Sequence, residues 1–174
     1  MTEVRRTAMD LLARREHSRA EIVTKLHQKY PELTQHFDEV LDQLEQDGLL
    51  SDERFATAYV RYRRSRGFGP LLIRQELRGK GIHASLLEAV IDLRAEEWLD
   101  TLRDLITRKR RTISRDEPPF GSEPCSRSES SLDQSRAGPA RTNGRYAVVK
   151  ARQKLYRFCL SRGFTSDQIE RAML

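Results

Sequence analysis

Cysteine is nearly absent. Cys125 and Cys159 are the only two in 174 residues, too few for a disulfide framework or a cysteine-ligated metal cluster, and Cys159 sits within an apolar helical pattern that marks it as a buried free thiol. Long apolar runs are missing as well. No stretch approaches the roughly twenty apolar residues of a membrane span, and the N-terminus has no apolar signal-peptide core, so a cytoplasmic protein away from any membrane is expected. Only 37% of the residues are hydrophobic and 7% aromatic. The core must therefore be thin, with apolar side chains confined to one face of each element, which favours an extended helical arrangement over a compact globule.

Catalytic patterns are lacking too. His17, His27, His36 and His83 form no HExxH or other ligand-spaced pair and are expected on the surface or in turns. No Ser-His-Asp or Cys-His set stands out from chance scatter. Asp38, Glu39, Asp42, Glu45 and Asp47 lie on one short amphipathic helix and read as its solvated face rather than as a metal site. No catalytic, cofactor-binding or metal-binding residue is assigned, and a protein that is not an enzyme and uses no cofactor is expected.

What the chain has is charge, 33% of its residues with a formal net of +6. The charge is segregated. Residues 1–50 hold seven Lys/Arg against ten Asp/Glu, a net of −3, which leaves +9 on residues 51–174. Such a balance points to a polyanionic or acidic partner for the later part of the chain.

Helical periodicity recurs in three blocks. In residues 1–50 the stripe positions are Ala8, Leu11 and Leu12, then Ile22, Val23 and Leu26, then Phe37, Val40, Leu41 and Leu44. Ser18-Arg19-Ala20-Glu21 has the form of a capping box, and Pro31 closes the helix that follows. Residues 51–95 repeat the plan. Phe55, Ala58, Tyr59 and Tyr62 are expected to face inward and Arg61 and Arg64 outward; a helix opened by Gly69-Pro70 carries Ile73 and Leu77, and a third carries Leu87, Val90 and Ile91. Residues 96–174 begin a third unit through Leu99, Leu102, Leu105 and Ile106. Periodicity fails over 111–145, which hold four of the six prolines and many serines, and this interval is expected to be a flexible insert. It then resumes, with a second capping box at Thr165-Ser166-Asp167-Gln168. The fold expected is all-α, an elongated array of three tandem three-helix repeats with an insert in the third.

Gly48, Gly67, Gly81 and Gly163 each follow a helical pattern and precede an apolar residue, the signature of a left-handed helix stop. A phosphate cradle would need GxxxxGK[ST] after a strand, and neither is present. The helical hairpin around Gly81 has the outline of a DNA-reading helix-turn-helix. Its following helix, SLLEAVIDL, carries Glu88 and Asp92 and no Arg, Lys, Asn or Gln to reach base edges.

The basic residues recur at related places on successive units. They comprise Arg61, Arg63, Arg64 and Arg66; Arg74, Arg78 and Lys80; Arg108 to Arg111; and Lys150, Arg152, Lys154, Arg157 and Arg162. Tyr59, Tyr62 and Tyr156 are interleaved with them. Arg61, Arg64, Arg74, Lys80, Lys150, Lys154 and Arg157 are the candidate partner-contacting or DNA-contacting residues.

The segment GLLSDERFATAYVRYRRSRGFGPLLIRQELRGKGI, residues 48–82, resembles the most characteristic stretch of the RecX regulatory proteins. The matching elements are Asp52, Arg54-Phe55-Ala56, Arg66-Gly67-Phe68-Gly69-Pro70, Ile73, Glu76-Leu77 and Lys80-Gly81-Ile82. RREHSRAEIVTKL (14–26) and RFCLSRGFTSDQIERAM (157–173) are similar to that family's first and last units. The resemblance implies a bacterial cytoplasmic modulator of the RecA recombinase acting in DNA repair and the SOS response. It implies a monomer lying along the groove of the RecA–DNA filament that restrains ATP hydrolysis, strand exchange and coprotease activity, with single- or double-stranded DNA as a further ligand. Residues 111–145 depart from the family, whose members join these helices by a shorter segment. A nonspecific DNA-binding helical protein acting without RecA, and a helical scaffold for an unrelated acidic protein, are the alternatives the charge allows.

Overall fold

The structure is a computed structural model, described here for residues 2–116 and 142–174. The described residues are helical, without strands: α1 (Thr2–Leu12), α2 (Arg19–Lys29), a 3₁₀ segment (Pro31–His36), α3 (Phe37–Gln46), α4 (Asp52–Ser65), α5 (Pro70–Gly79), α6 (Ala84–Val90), α7 (Glu97–Asp116), α8 (Thr142–Ser161) and α9 (Ser166–Met173). Helical backbone thus continues to Asp116 and resumes at Thr142, inside both ends of the interval expected to be an insert. The rest of that interval, 117–141, lies outside the described residues.

Three small apolar clusters correspond to three groups of helices. The first joins Val4 and Ala8 to Ile22, Leu26 and the α3 stripe of Phe37, Val40, Leu41 and Leu44. The second joins Phe55, Ala56 and Val60 of α4 to Ile73, Leu77, Leu87 and Ile91. The third packs Leu102 and Ile106 of α7 against Leu155, Cys159, Phe164 and Ile169. Trp98 opens α7 yet belongs to the second cluster, and its indole N–H donates to the Asp92 carbonyl at 2.8 Å, so that the buried ring keeps a partner for its one polar atom.

The inner face of α4 departs from the sequence expectation. Ala58 and Tyr62 are exposed, and the buried positions are Phe55, Ala56 and Val60, with Tyr59 half-buried. Their i, i+4 spacing continues to Arg63 instead of Tyr62. Arg63 is held there because its Nε donates to Glu76 at 2.7 Å and its guanidinium lies 3.7 Å from the Phe68 ring centre. A neutralised arginine can therefore occupy a position that apolar patterning assigns to an aromatic.

Among the described residues, four glycines have positive φ: Gly48 (69°), Gly67 (77°), Gly81 (81°) and Gly163 (86°). After α5, Ile82 N–H donates to Leu77 O at 3.1 Å and Gly81 N–H to Arg78 O at 3.0 Å, and the same pair of bonds recurs after α8 from Phe164 to Cys159 and from Gly163 to Leu160. These are Schellman stops, with the following Ile82 and Phe164 buried over the helix end.

These two turns also join the units. The turn after α5 seats on the start of α2. Ser18 Oγ donates to Lys80 O at 2.8 Å, Lys80 Nζ reaches Glu21 at 2.5 Å, and a Cβ on Gly81 would fall 2.5 Å from that of Ala20. The turn after α8 seats in the same way on the start of α5, with Gly69 N–H donating to Arg162 O at 2.7 Å and Leu71 N–H to Gly163 O at 3.0 Å. Among the described residues, every hydrogen bond and ion pair between units joins neighbours in the chain.

The first junction explains two departures at the start of α2. Ser18 accepts from the Glu21 N–H at 3.1 Å, but the Glu21 carboxylate turns to Lys80 and to His17 Nδ1, at 3.0 Å, and leaves the capping box half made. At α9 no such competitor exists and the Thr165–Gln168 box is complete. His17, expected on the surface or in a turn, is instead 2% exposed at this junction.

Candidate functional site

Residues on the last turns of α4 and the facing side of α7 form a groove of about 230 Å³. Arg61, Arg64 and Arg66 line one wall with Ser65 and Gly67; Arg108 lines the other with Thr101, Asp104 and Leu105. The Schellman stop at Gly67 brings the chain close to α7, since a Cβ there would meet Leu105 Cδ1 at 3.1 Å. Arg64 pairs with Glu97 and stands over the Trp98 ring, its guanidinium 5.9 Å from the ring centre. Arg61, Arg66 and Arg108 form no ion pair among the described residues, and Asp104 is the one carboxylate in the wall. The groove therefore carries an excess of positive charge suited to an anion. Arg66 and Arg108 belong to the basic series in the sequence but not to the candidate contacts drawn from it. Nothing local in the sequence signals that the end of α4 meets the second to fourth turns of α7.

The candidate contact residues divide into two groups. Arg61 on α4 and Lys150, Lys154 and Arg157 on α8 are exposed. The other three are engaged within the chain. Arg64 pairs with Glu97, Arg74 Nη2 donates to Glu88 at 3.1 Å, and Lys80 bridges the first and second units through Glu21. Lys80 also lies over the rings of Phe55 and Tyr59, 5.9 and 5.4 Å from their centres, so its charge is already balanced by a carboxylate and two aromatic faces.

The acidic run on α3 has an internal partner. Arg19 reaches Asp42 at 2.7 Å, Glu45 at 3.0 Å and Asp38 at 3.1 Å. Burial works against the charge on Arg19, but these three carboxylates outweigh it and raise its pKa. Among the described residues no group of three or more His, Cys, Asp or Glu is placed to hold a metal ion, and no helix is long and apolar enough to cross a membrane. Cys159 is fully buried, and burial pushes its thiol up to about 11, which makes it a core residue and a poor nucleophile.

Three family models match the chain in order: the first three-helix domain of RecX over residues 5–44, the second over 51–91 and the third over 140–173. The regulatory protein RecX of Pseudomonas fluorescens strain Pf-5 is 42% identical over 111 residues, which span 63% of this chain and 70% of that protein. The regulatory protein RecX of Pseudomonas savastanoi pv. phaseolicola is 44% identical over 108 residues, 61% of this chain and 68% of that protein. Among solved structures, RecX from Lactobacillus salivarius superposes with a TM-score of 0.72 at 18% identity, over 99% of this chain and 93% of that one. A second crystal structure, of a regulatory protein RecX, gives the same TM-score at 22% identity, over 99% of this chain and 72% of that one. The structural likeness extends to the fold, and the tandem domain matches with the sequence identity extend to the family: this chain belongs to the RecX family of regulatory proteins.

Proposed function

We propose that this protein binds the RecA–DNA filament and suppresses RecA-driven ATP hydrolysis, strand exchange and coprotease activity. The observation that carries this reading is the ordered match of all three RecX domains along one chain, with relatives named regulatory proteins. Two features of the molecule support it. Among the described residues, hydrogen bonds and ion pairs between units join only neighbours in the chain, an arrangement suited to a repeating partner, and Arg61, Lys150, Lys154 and Arg157 are exposed on helices of the second and third units. Contacts spread over several units gain by summing weak local interactions, so affinity for a filament exceeds affinity for one isolated RecA subunit. The protein acts in the cytoplasm as a monomer and without a cofactor.

The test is to titrate the chain into RecA assembled on single-stranded DNA with ATP and follow hydrolysis and strand exchange. Both fall with added protein under this reading. If both stay at the level of RecA alone while the chain binds naked DNA as tightly as filament, the protein is a DNA-binding helical protein that acts without RecA.

A further inference from the structure

We infer that the groove between α4 and α7 is a binding site for single-stranded nucleic acid, in which Arg61, Arg66 and Arg108 hold backbone phosphate and Tyr62 stacks a base. The inference extends the filament reading by naming a ligand for one surface.

The starting observation is Tyr62. Apolar patterning places it in the core, yet its residue is 49% exposed, because Arg63 takes the inward position on α4. Tyr62 thus adds little to the packing of the second unit. It lies beside the groove, since the guanidinium of Arg66, a groove-lining residue, stands 4.5 Å from its ring centre. Arginine over an aromatic ring makes a flat, positively charged platform in which the ring and the guanidinium are held by one another.

The groove supplies the complementary half. Three guanidiniums without an ion pair among the described residues surround a space of about 230 Å³, with Asp104 the one opposing carboxylate. Arginine donors arranged in forks match the oxygens of a phosphate diester better than a diffuse set of lysines. A phosphate site next to an exposed aromatic platform fits a strand whose bases can splay away from its backbone. A duplex keeps its bases stacked and offers Tyr62 nothing to stack on, and an acidic peptide has no flat ring for it.

The test measures binding of a fluorescently labelled twenty-residue oligothymidylate to the full chain in the absence of RecA, over a series of salt concentrations. A hairpin duplex of the same nucleotide count and a labelled oligoglutamate are run in parallel. Each phosphate contact on a single strand contributes about 0.7 to the slope of log affinity against log salt, so Arg61→Gln/Arg108→Gln lowers that slope by about 1.4. Tyr62→Ala weakens oligothymidylate binding about tenfold, within the range for one stacked base, while Tyr62→Phe stays within twofold of the unaltered chain. Thermal melting establishes that each variant is folded; Tyr62 and Arg61 are exposed and their replacement leaves the melting temperature in place. The inference is overturned if folded Tyr62→Ala binds oligothymidylate within twofold of the unaltered chain, or if the salt slope of the double glutamine variant is unchanged. It is equally overturned if oligoglutamate binds as tightly as oligothymidylate and loses affinity in the same arginine variants, which would assign the groove to an acidic protein surface. Because RecA is absent, failure here leaves the filament reading intact, and failure of that reading leaves this one intact.

Discussion

Gly69 and Gly163 face each other so closely that a Cβ on Gly69 would fall 2.5 Å from the Gly163 carbonyl carbon and oxygen. The start of α5 and the turn after α8 meet backbone to backbone, with the Gly69 N–H bonded to Arg162 O at 2.7 Å. Gly163 is constrained twice, by φ of +86° and by Leu72 N only 2.5 Å from where its own Cβ would stand. Gly48 has a similar φ of +69° but nothing within 4 Å of that position.

These environments predict an order of damage. Gly48→Ala incurs only the left-handed backbone penalty, about 1 kcal/mol. Gly163→Ala incurs that penalty and must also push the second and third units apart, which raises the cost to about 2–4 kcal/mol. Urea or thermal unfolding of the two variants measures the difference, and equal losses would show that the third unit does not seat on the second through this turn.

The junction of the first two units should make stability fall on mild acidification. Burial lowers the pKa of His17 from its ordinary 6.5, against the opposing pull of its bond to Glu21. The folded protein therefore binds a proton there less readily than the unfolded chain does. Stability is fully present above about pH 6.5 and declines as pH drops from there through the lower folded value. Two further groups at this junction, both carboxylates, have shifts of opposite sign. Burial pushes Glu21 up, but its bonds to Lys80 and His17 outweigh that and hold it low; Asp52 is raised, chiefly by burial. The melting temperature should thus fall between pH 7.5 and 5.5, and His17→Gln, which retains a donor for Glu21, should flatten that decline. A decline unchanged in the variant would assign it to another group.

Much of this molecule is legible locally. The stripe of Phe37, Val40, Leu41 and Leu44 reads directly as the buried face of α3, and the Thr165–Gln168 box reads directly as the start of α9, because each signal spans only a turn or two. Tyr62 shows where such reading stops. Whether position 62 or 63 faces inward depends on Glu76, thirteen residues beyond Arg63, which neutralises an arginine that a period count treats as outward. His17 and Glu21 were out of reach for the same reason, since the lysine that claims Glu21 lies 59 residues away. The basic groove was half visible: its arginines stand out as a series, but their convergence depends on α7 folding back against the end of α4.

Glu76 should be among the more sensitive polar positions. It accepts from Tyr59 at 3.0 Å and from Arg63 Nε at 2.7 Å, and neither side chain of the ion pair is more than 25% exposed. Glu76→Ala leaves a half-buried guanidinium and a phenol without their acceptor and should lower stability by about 1–3 kcal/mol. The exposed pair of Asp100 and Arg103, at 75% and 55% exposure, supplies the contrast, and Asp100→Ala should change stability by less than about 0.5 kcal/mol. The same surroundings push Tyr59 up to about 12, first through burial and then through the bond to Glu76 and its charge, so Glu76→Gln should also ease Tyr59 ionisation in an ultraviolet titration. Equal stability losses at Glu76 and Asp100 would remove the distinction drawn between these two ion pairs.

The central claim is that exposed cations on successive units engage the RecA–DNA filament. Arg61, Lys154 and Arg157 are suited to testing it, because all three are exposed, whereas Arg64, Arg74 and Lys80 hold the fold together through Glu97, Glu88 and Glu21. The decisive measurement is the concentration of protein that halves RecA-driven ATP hydrolysis on single-stranded DNA, compared between the unaltered chain and Arg61→Glu/Lys154→Glu/Arg157→Glu. The account predicts a triple variant with an unchanged melting temperature that needs at least about tenfold more protein, with each single change costing only a few-fold, as expected for contacts distributed over two units. A folded triple variant that suppresses hydrolysis at the same concentration as the unaltered chain would contradict it.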